Sequence, residues 1–270
     1  MTVNTSRIVN LAIRSNLPAG GSLIVGFVVA GNGKPLLVRA VGPGLGQFGL
    51  GGVLADPRMS LYAGSALVAS NDDWGGAANA AQVATTAGQV GAFGLPAGSL
   101  DAVLLMSLDG GGYSAQVLGP GNAGGIVLVE LYDAAGATAA RLVNVSARTA
   151  VGTGENALFA GFAVTGNAKR TVLIRAIGPT LAAFGATGVL GDPRLDLLGA
   201  GASTPLATND DWGGGANLTA AFGVVGAFPL AANAKDAALL VTLDPGSYSV
   251  QVSGVGGTTG EALVEIYEVP

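Results

Sequence analysis

Two six-residue loops hold most of the side chains with which this sequence could do chemistry. Asn71-Asp72-Asp73-Trp74-Gly75-Gly76 returns as Asn209-Asp210-Asp211-Trp212-Gly213-Gly214. Adjacent amide and carboxylate groups on a glycine-containing loop offer hard oxygen donors at short range, which is what Ca²⁺ requires with its six to eight oxygen ligands. As a metal site, Asn71, Asp72, Asp73 and Asp101 would surround one ion, and Asn209, Asp210, Asp211 and Asp236 another, with Asp101 and Asp236 completing each set from a neighbouring strand. The opposing reading is a tight turn in which Asn and Asp bond to nearby backbone amides; the loops lack the D-x-[DN]-x-[DN]-G spacing of an EF-hand. Trp74 and Trp212, the two tryptophans, are the candidate ligand-binding residues, as platforms for a sugar ring. Their alternative role is as hydrophobic plugs with the indole N–H paired.

Other chemistries are excluded by residue type. With 0 Cys and 0 His, the chain has no disulfide frame, Cys/His zinc site or Ser-His-Asp triad. A pair of carboxylates about 5–10 Å apart would serve a glycosidase, but two near-equal copies without an aromatic cleft favour a noncatalytic chain. The 12 basic residues are scattered among 17 acids for a net charge of −5, so no footprint for nucleic acid is present. Apolar runs such as 23–30 and 126–131 stop well short of the roughly 18–20 residues of a membrane-spanning helix. GPGLGQFG at 42–49 lacks the Lys-Ser/Thr ending of a phosphate-binding loop; it reads as a turn-rich connection with Phe48 and Phe184 as anchors.

The elements that must position these loops occur twice. RIVNLAIR at 7–14 recurs as RLVNVSAR at 141–148, GPGLGQFGLGGVLADPR at 42–58 as GPTLAAFGATGVLGDPR at 178–194, YSAQV as YSVQV, and LVELYD as LVEIYE, always at an offset of 134 to 138 residues. Two β-sandwich repeats, 1–135 and 136–270, are expected, joined at the small, uncharged stretch 134–140.

Inside each repeat the apolar period is two, as in Tyr113, Ala115 and Val117 or Tyr248, Val250 and Val252, the mark of half-buried strands. Continuous runs at 36–41 and 126–131 read as central strands. About eight strands per repeat, separated by Gly, Pro, Asn and Asp, predict an all-β chain of two tandem antiparallel β-sandwiches, jelly-roll-like. The Ala-rich 77–87 is the one helical segment predicted.

Charged residues are scarce, 11% of the chain, and most recur in both repeats: eight of nine Arg and 14 of 17 acids. Arg39 shares a strand face with Leu37 and Val41, and Glu130 with Leu128 and Tyr132. An unpaired charge on such a face is costly. Arg39 is therefore expected to pair with Glu130 or Asp56, and Arg175 with Glu265 or Asp192.

The stretch DPRMSLYAGSALVASNDDW, then DAVLLMSLDGGGYSAQVLG and GGIVLVELYD, resembles the bacterial pre-peptidase C-terminal domain over 56–133, and its twin does so over 192–268. The preceding VRAVGPGLGQFG is similar to β-rich repeats of long secreted bacterial proteins. The resemblance implies a jelly-roll-like sandwich attached to secreted enzymes or surface proteins, some members binding Ca²⁺ or a polymeric substrate; Asp72, Asp73, Asp210 and Asp211 match the family's acidic loop. The expected function is a noncatalytic extracellular or cell-surface spacer, adhesive element or fibre subunit. Its partners would be further copies of itself through edge strands, 9–13 or the closing strands, or a polysaccharide if the chain is a Ca²⁺-dependent binding module.

Overall fold

The computed structural model describes residues 5–135 and 140–270. Eight strands fill the first repeat: β1 (Arg7–Leu17), β2 (Leu23–Ala30), β3 (Lys34–Val41), β4 (Arg58–Ala63), β5 (Ala66–Asn71), then, after helix α1 (Ala80–Gln89), β6 (Ala102–Leu108), β7 (Gly111–Leu118) and β8 (Gly125–Asp133). The second repeat runs β9 (Arg141–Val151), β10 (Leu158–Thr165), β11 (Arg170–Ile177), β12 (Pro193–Gly199), β13 (Ala207–Asn209), helix α2 (Ala216–Val225), β14 (Ala237–Leu243), β15 (Gly246–Gly254) and β16 (Gly260–Glu268). Alternation produces these strands, as in β2, where Leu23, Val25, Phe27 and Val29 are buried and the residues between them are not.

The chain divides into two compact units, Asn10–Leu142 and Val143–Pro270 with residues 5–9, so the division falls inside β1 and inside β9. Of the expected join at 134–140, residues 136–139 lie outside the described residues. In the first unit one sheet has the order β1-β8-β3-β6 and the other β2-β7-β4-β5. In the second the orders are β9-β16-β11-β14 and β10-β15-β12-β13. Neighbouring strands within each unit are antiparallel. Both units are therefore eight-stranded jelly rolls, and the chain is an all-β sandwich protein. The first core is built from residues such as Ile13, Leu23, Val25, Leu36, Val38, Leu61, Val117 and Leu131.

Three expectations change. The closing strands β8 and β16 lie inside their sheets, each paired on both sides, because a jelly roll returns its last strand between its first and third; they offer no edge. A second helix, α2, stands where Phe222 and Val225 hid the pattern that alanines made visible in α1. Phe48 and Phe184 are not buried anchors: they are 58% and 65% exposed, and each meets another ring edge-on, Phe93 and Phe228, with centroids 5.0 Å apart.

Candidate functional site

The Asx loop leaves β5 as a turn held by its first side chain. Asn71 accepts the Val103 N–H at 2.8 Å through Oδ1 and donates from Nδ2 to the Asp73 carbonyl. Asn209 does the same with Ala238 and Asp211. Both amides thus bind the loop to the strand after the helix, β6 or β14, the turn role of Asx side chains. Asp72, Asp73, Asp210 and Asp211 are exposed. Among the described residues no group of three or more carboxylate, His or Cys side chains could hold a metal ion.

Asp101 and Asp236 do not complete a set of ligands around these loops. Each is fully buried and turns its carboxylate to the glycine-led turn after β3 or β11. Asp101 Oδ1 accepts from Gly42 N at 2.8 Å and Gly44 N at 3.1 Å, while Oδ2 accepts from Ser99 Oγ at 2.6 Å. Asp236 accepts from Gly178 N at 2.8 Å and from the Thr180 amide and hydroxyl. The reason is electrostatic: a buried carboxylate needs donors, and the free amides of a tight 3-10 turn supply them. The carbonyls of the same two aspartates accept from Trp74 N and Trp212 N, so each aspartate ties the Asx loop to the glycine turn. Gly42 and Gly178 are required there, since a Cβ would stand about 2.0–2.1 Å from the carbonyl oxygen of Leu54 or Leu190.

Beneath the turns lies a buried network of Arg, Glu and Tyr. Arg39 and Glu130 are cross-strand partners on β3 and β8. Arg39 Nε donates to Glu130 Oε2 at 2.9 Å, its Nη1 donates to the Phe93 carbonyl at 2.6 Å, and Tyr132 donates its hydroxyl to Glu130 Oε1 at 2.7 Å. Arg175, Glu265, Phe228 and Tyr267 repeat every bond. Of the alternatives posed for each arginine, the glutamate is the partner; Asp56 sits by the exposed Arg58, and Asp192 by Lys235. Burial, then the adjacent Glu130 charge and hydrogen bond, raises the Tyr132 phenol far above its ordinary value, and Glu265 acts likewise on Tyr267. Two further buried pairs escaped the sequence reading, Lys34 with Asp133 and Arg170 with Glu268. A hint was present, since Asp133 and Glu268 recur at matching positions on otherwise apolar strands.

The two tryptophans part company. Trp212 is 6% exposed, donates its indole N–H to the Ala231 carbonyl at 2.9 Å and lies against Phe222 with ring centroids 5.3 Å apart. It is a plug, because α2 drops a phenylalanine onto it, and no ligand can stack there. Trp74 is half-buried, bonds to Ser99 Oγ at 3.1 Å, and borders a cavity of about 160 Å³ whose lining includes Arg39, Val83, Ala87 and Leu95. Sequence reasoning missed this cavity. Its signal was the small Ala87 standing where the second repeat has Phe222.

No protein-family model and no curated protein matches the chain. Among solved structures it is similar to the tandem CBM51 modules of a family 98 glycoside hydrolase from Streptococcus pneumoniae, at 6% identity over 96% of this chain and 84% of that one, with a TM-score of 0.25. It is also similar to a DUF4785 family protein from Legionella pneumophila, at 8% identity over 99% and 84%, TM-score 0.25, and to hazelnut (Corylus avellana) vicilin, at 6% identity over 96% and 74%, TM-score 0.22. Likenesses at this level carry no argument about function.

Proposed function

We propose that this chain is a noncatalytic tandem jelly-roll module of an extracellular or cell-surface protein, a spacer or adhesive element that joins copies of itself. What carries the noncatalytic part is the engagement of the buried acids shared by both repeats: Asp101 and Asp236 hold backbone amides, while Glu130 and Glu265 hold an arginine and a tyrosine. Acids so engaged are not set within reach of a substrate proton. Calcium is not needed in this reading, since the Asn71 amide and the Asp101 carboxylate already have protein partners.

Self-joining is supported by β5. It closes one end of its sheet, has the sequence ALVASN without Lys or Pro, and leaves Leu67 58% exposed beside the exposed Val68. Natural sheet edges are commonly protected by charge or proline, and an unprotected one accepts an added strand. A contact between unlike surfaces propagates as an open filament unless the rotation closes.

Sedimentation and negative-stain microscopy of the concentrated chain test this. Filaments or large oligomers are expected, and a folded Leu67→Lys/Val68→Lys variant should stay monomeric. A wild-type chain that remains monomeric at high concentration overturns self-joining, and retention of the monomer on a polysaccharide column would make it a binding module instead.

A further inference from the structure

The two repeats differ at one position that decides whether a space is filled. Ala87 and Phe222 are structurally equivalent: each accepts, through its carbonyl, the N–H of the alanine in the following Gly-Ala-Phe, Ala92 and Ala227, at 2.9 Å. In the second repeat the Phe222 ring lies over the Arg175 guanidinium, 4.8 Å from Cζ to centroid, and Phe228 lies at 4.3 Å. In the first repeat Phe93 keeps its place at 4.4 Å from Arg39 Cζ, but Ala87 supplies only a methyl group. The cavity of about 160 Å³ bordered by Arg39, Trp74, Val83, Ala87 and Leu95 is the result. An apolar cavity of about 150 Å³ is large enough to take up benzene.

We infer that the first jelly roll carries a binding site for a small molecule presenting a benzene-sized aromatic ring, received by the Arg39 guanidinium and Trp74 where the second repeat inserts its own Phe222. The chemistry of the lining selects the ring. Two of the three Arg39 nitrogens donate elsewhere, Nε to Glu130 and Nη1 to the Phe93 carbonyl, and Nη2, which makes no hydrogen bond, lies 2.7 Å from Glu130 Oε2. A carboxylate or phosphate therefore finds no fork of two free nitrogens and meets the Glu130 charge beside the remaining one, whereas the flat face of the cation attracts the negative face of an aromatic ring. A sugar ring would bring hydroxyls against Val83, Ala87 and Leu95, whose side chains offer no hydrogen-bond partner.

The test is an NMR titration of the full chain with fluorobenzene, with cyclohexane as the non-aromatic counterpart. Fluorobenzene should shift the Trp74 indole N–H and the Ala87 and Ala92 amides in a saturable way, with an apparent affinity at least about tenfold above that of cyclohexane, as cation–π recognition requires. Ala87→Phe, which copies the second repeat, should abolish the response, and Phe222→Ala should create a second one at Trp212. Absence of a shift up to the solubility limit overturns the site, as does equal binding of cyclohexane. A shift that survives in Ala87→Phe, or a folded Phe222→Ala chain silent at Trp212, does the same. The wild-type comparison of the two probes decides without any variant.

Discussion

Arg39, 1% exposed, shows what a buried cation demands of its surroundings. Its charge is met by Glu130, its Nη1 by a carbonyl and one face by the Phe93 ring, while Nη2 stays within ion-pair distance of Glu130 without a hydrogen bond and the group borders the apolar cavity. Tyr132 completes the arrangement by donating to the same glutamate, and this has a consequence for pH. In the folded chain the raised phenols of Tyr132 and Tyr267 keep their protons. Unfolded, they titrate near the ordinary value of about 10. Stability is therefore unaffected by these groups below about pH 10 and falls above it, by roughly 1.4 kcal/mol per pH unit for each tyrosine while the folded phenol stays protonated. Urea midpoints measured from about pH 8 to about pH 11 should drop steeply at the alkaline end, and Tyr132→Phe/Tyr267→Phe should flatten the drop; a midpoint indifferent to pH would contradict the network. The partner of Arg39 could be narrowed from sequence to two acids because strand alternation puts Arg39 and Glu130 on buried faces. Choosing between them required the register.

The loops and turns depend on one aspartate apiece. Asp101 joins the turn after β3 to the loop after β5 by its carboxylate on one side and its carbonyl on the other. Replacing it with alanine strands the Gly42 and Gly44 amides in a buried site, which costs about 2–4 kcal/mol. Chemical denaturation of Asp101→Ala should show that loss together with faster exchange at both amides; a change under about 0.5 kcal/mol would mean another acceptor takes over. The sequence offers Asp101 as a ligand beside the Asx loop, and its carbonyl does accept from Trp74 N, but the sequence could not tell a ligand of a cation from an acceptor of amides. Both uses employ the same oxygens, and the difference lies in which way the side chain leaves a strand end. Edge strands were equally opaque. β8 reads as a candidate edge until the strand order places it between β1 and β3, whereas β5, with no charge of its own, is left at the rim.

Charge is thin over the entire chain, with 11% Asp, Glu, Lys and Arg and a net −5, and β5 carries no charge. Association through that strand should therefore respond weakly to screening: between about 50 and about 500 mM NaCl, the association constant should change by less than about threefold. Light scattering across that range checks it, and a strong salt dependence would place a charged surface at the contact. Duplication, strand number, antiparallel class and the recurrence of the charged pairs could all be read from the chain, since each is a pattern local in sequence and burial imposes a period of two on any strand with one face inside. Which groups meet could not, because the jelly-roll order brings together residues as distant as Arg39 and Glu130, 91 positions apart. The same holds for Trp74 and Trp212. Identical loops present them, yet one is covered and the other stands beside a cavity, because a single side chain contributed by a neighbouring helix either reaches the indole or does not.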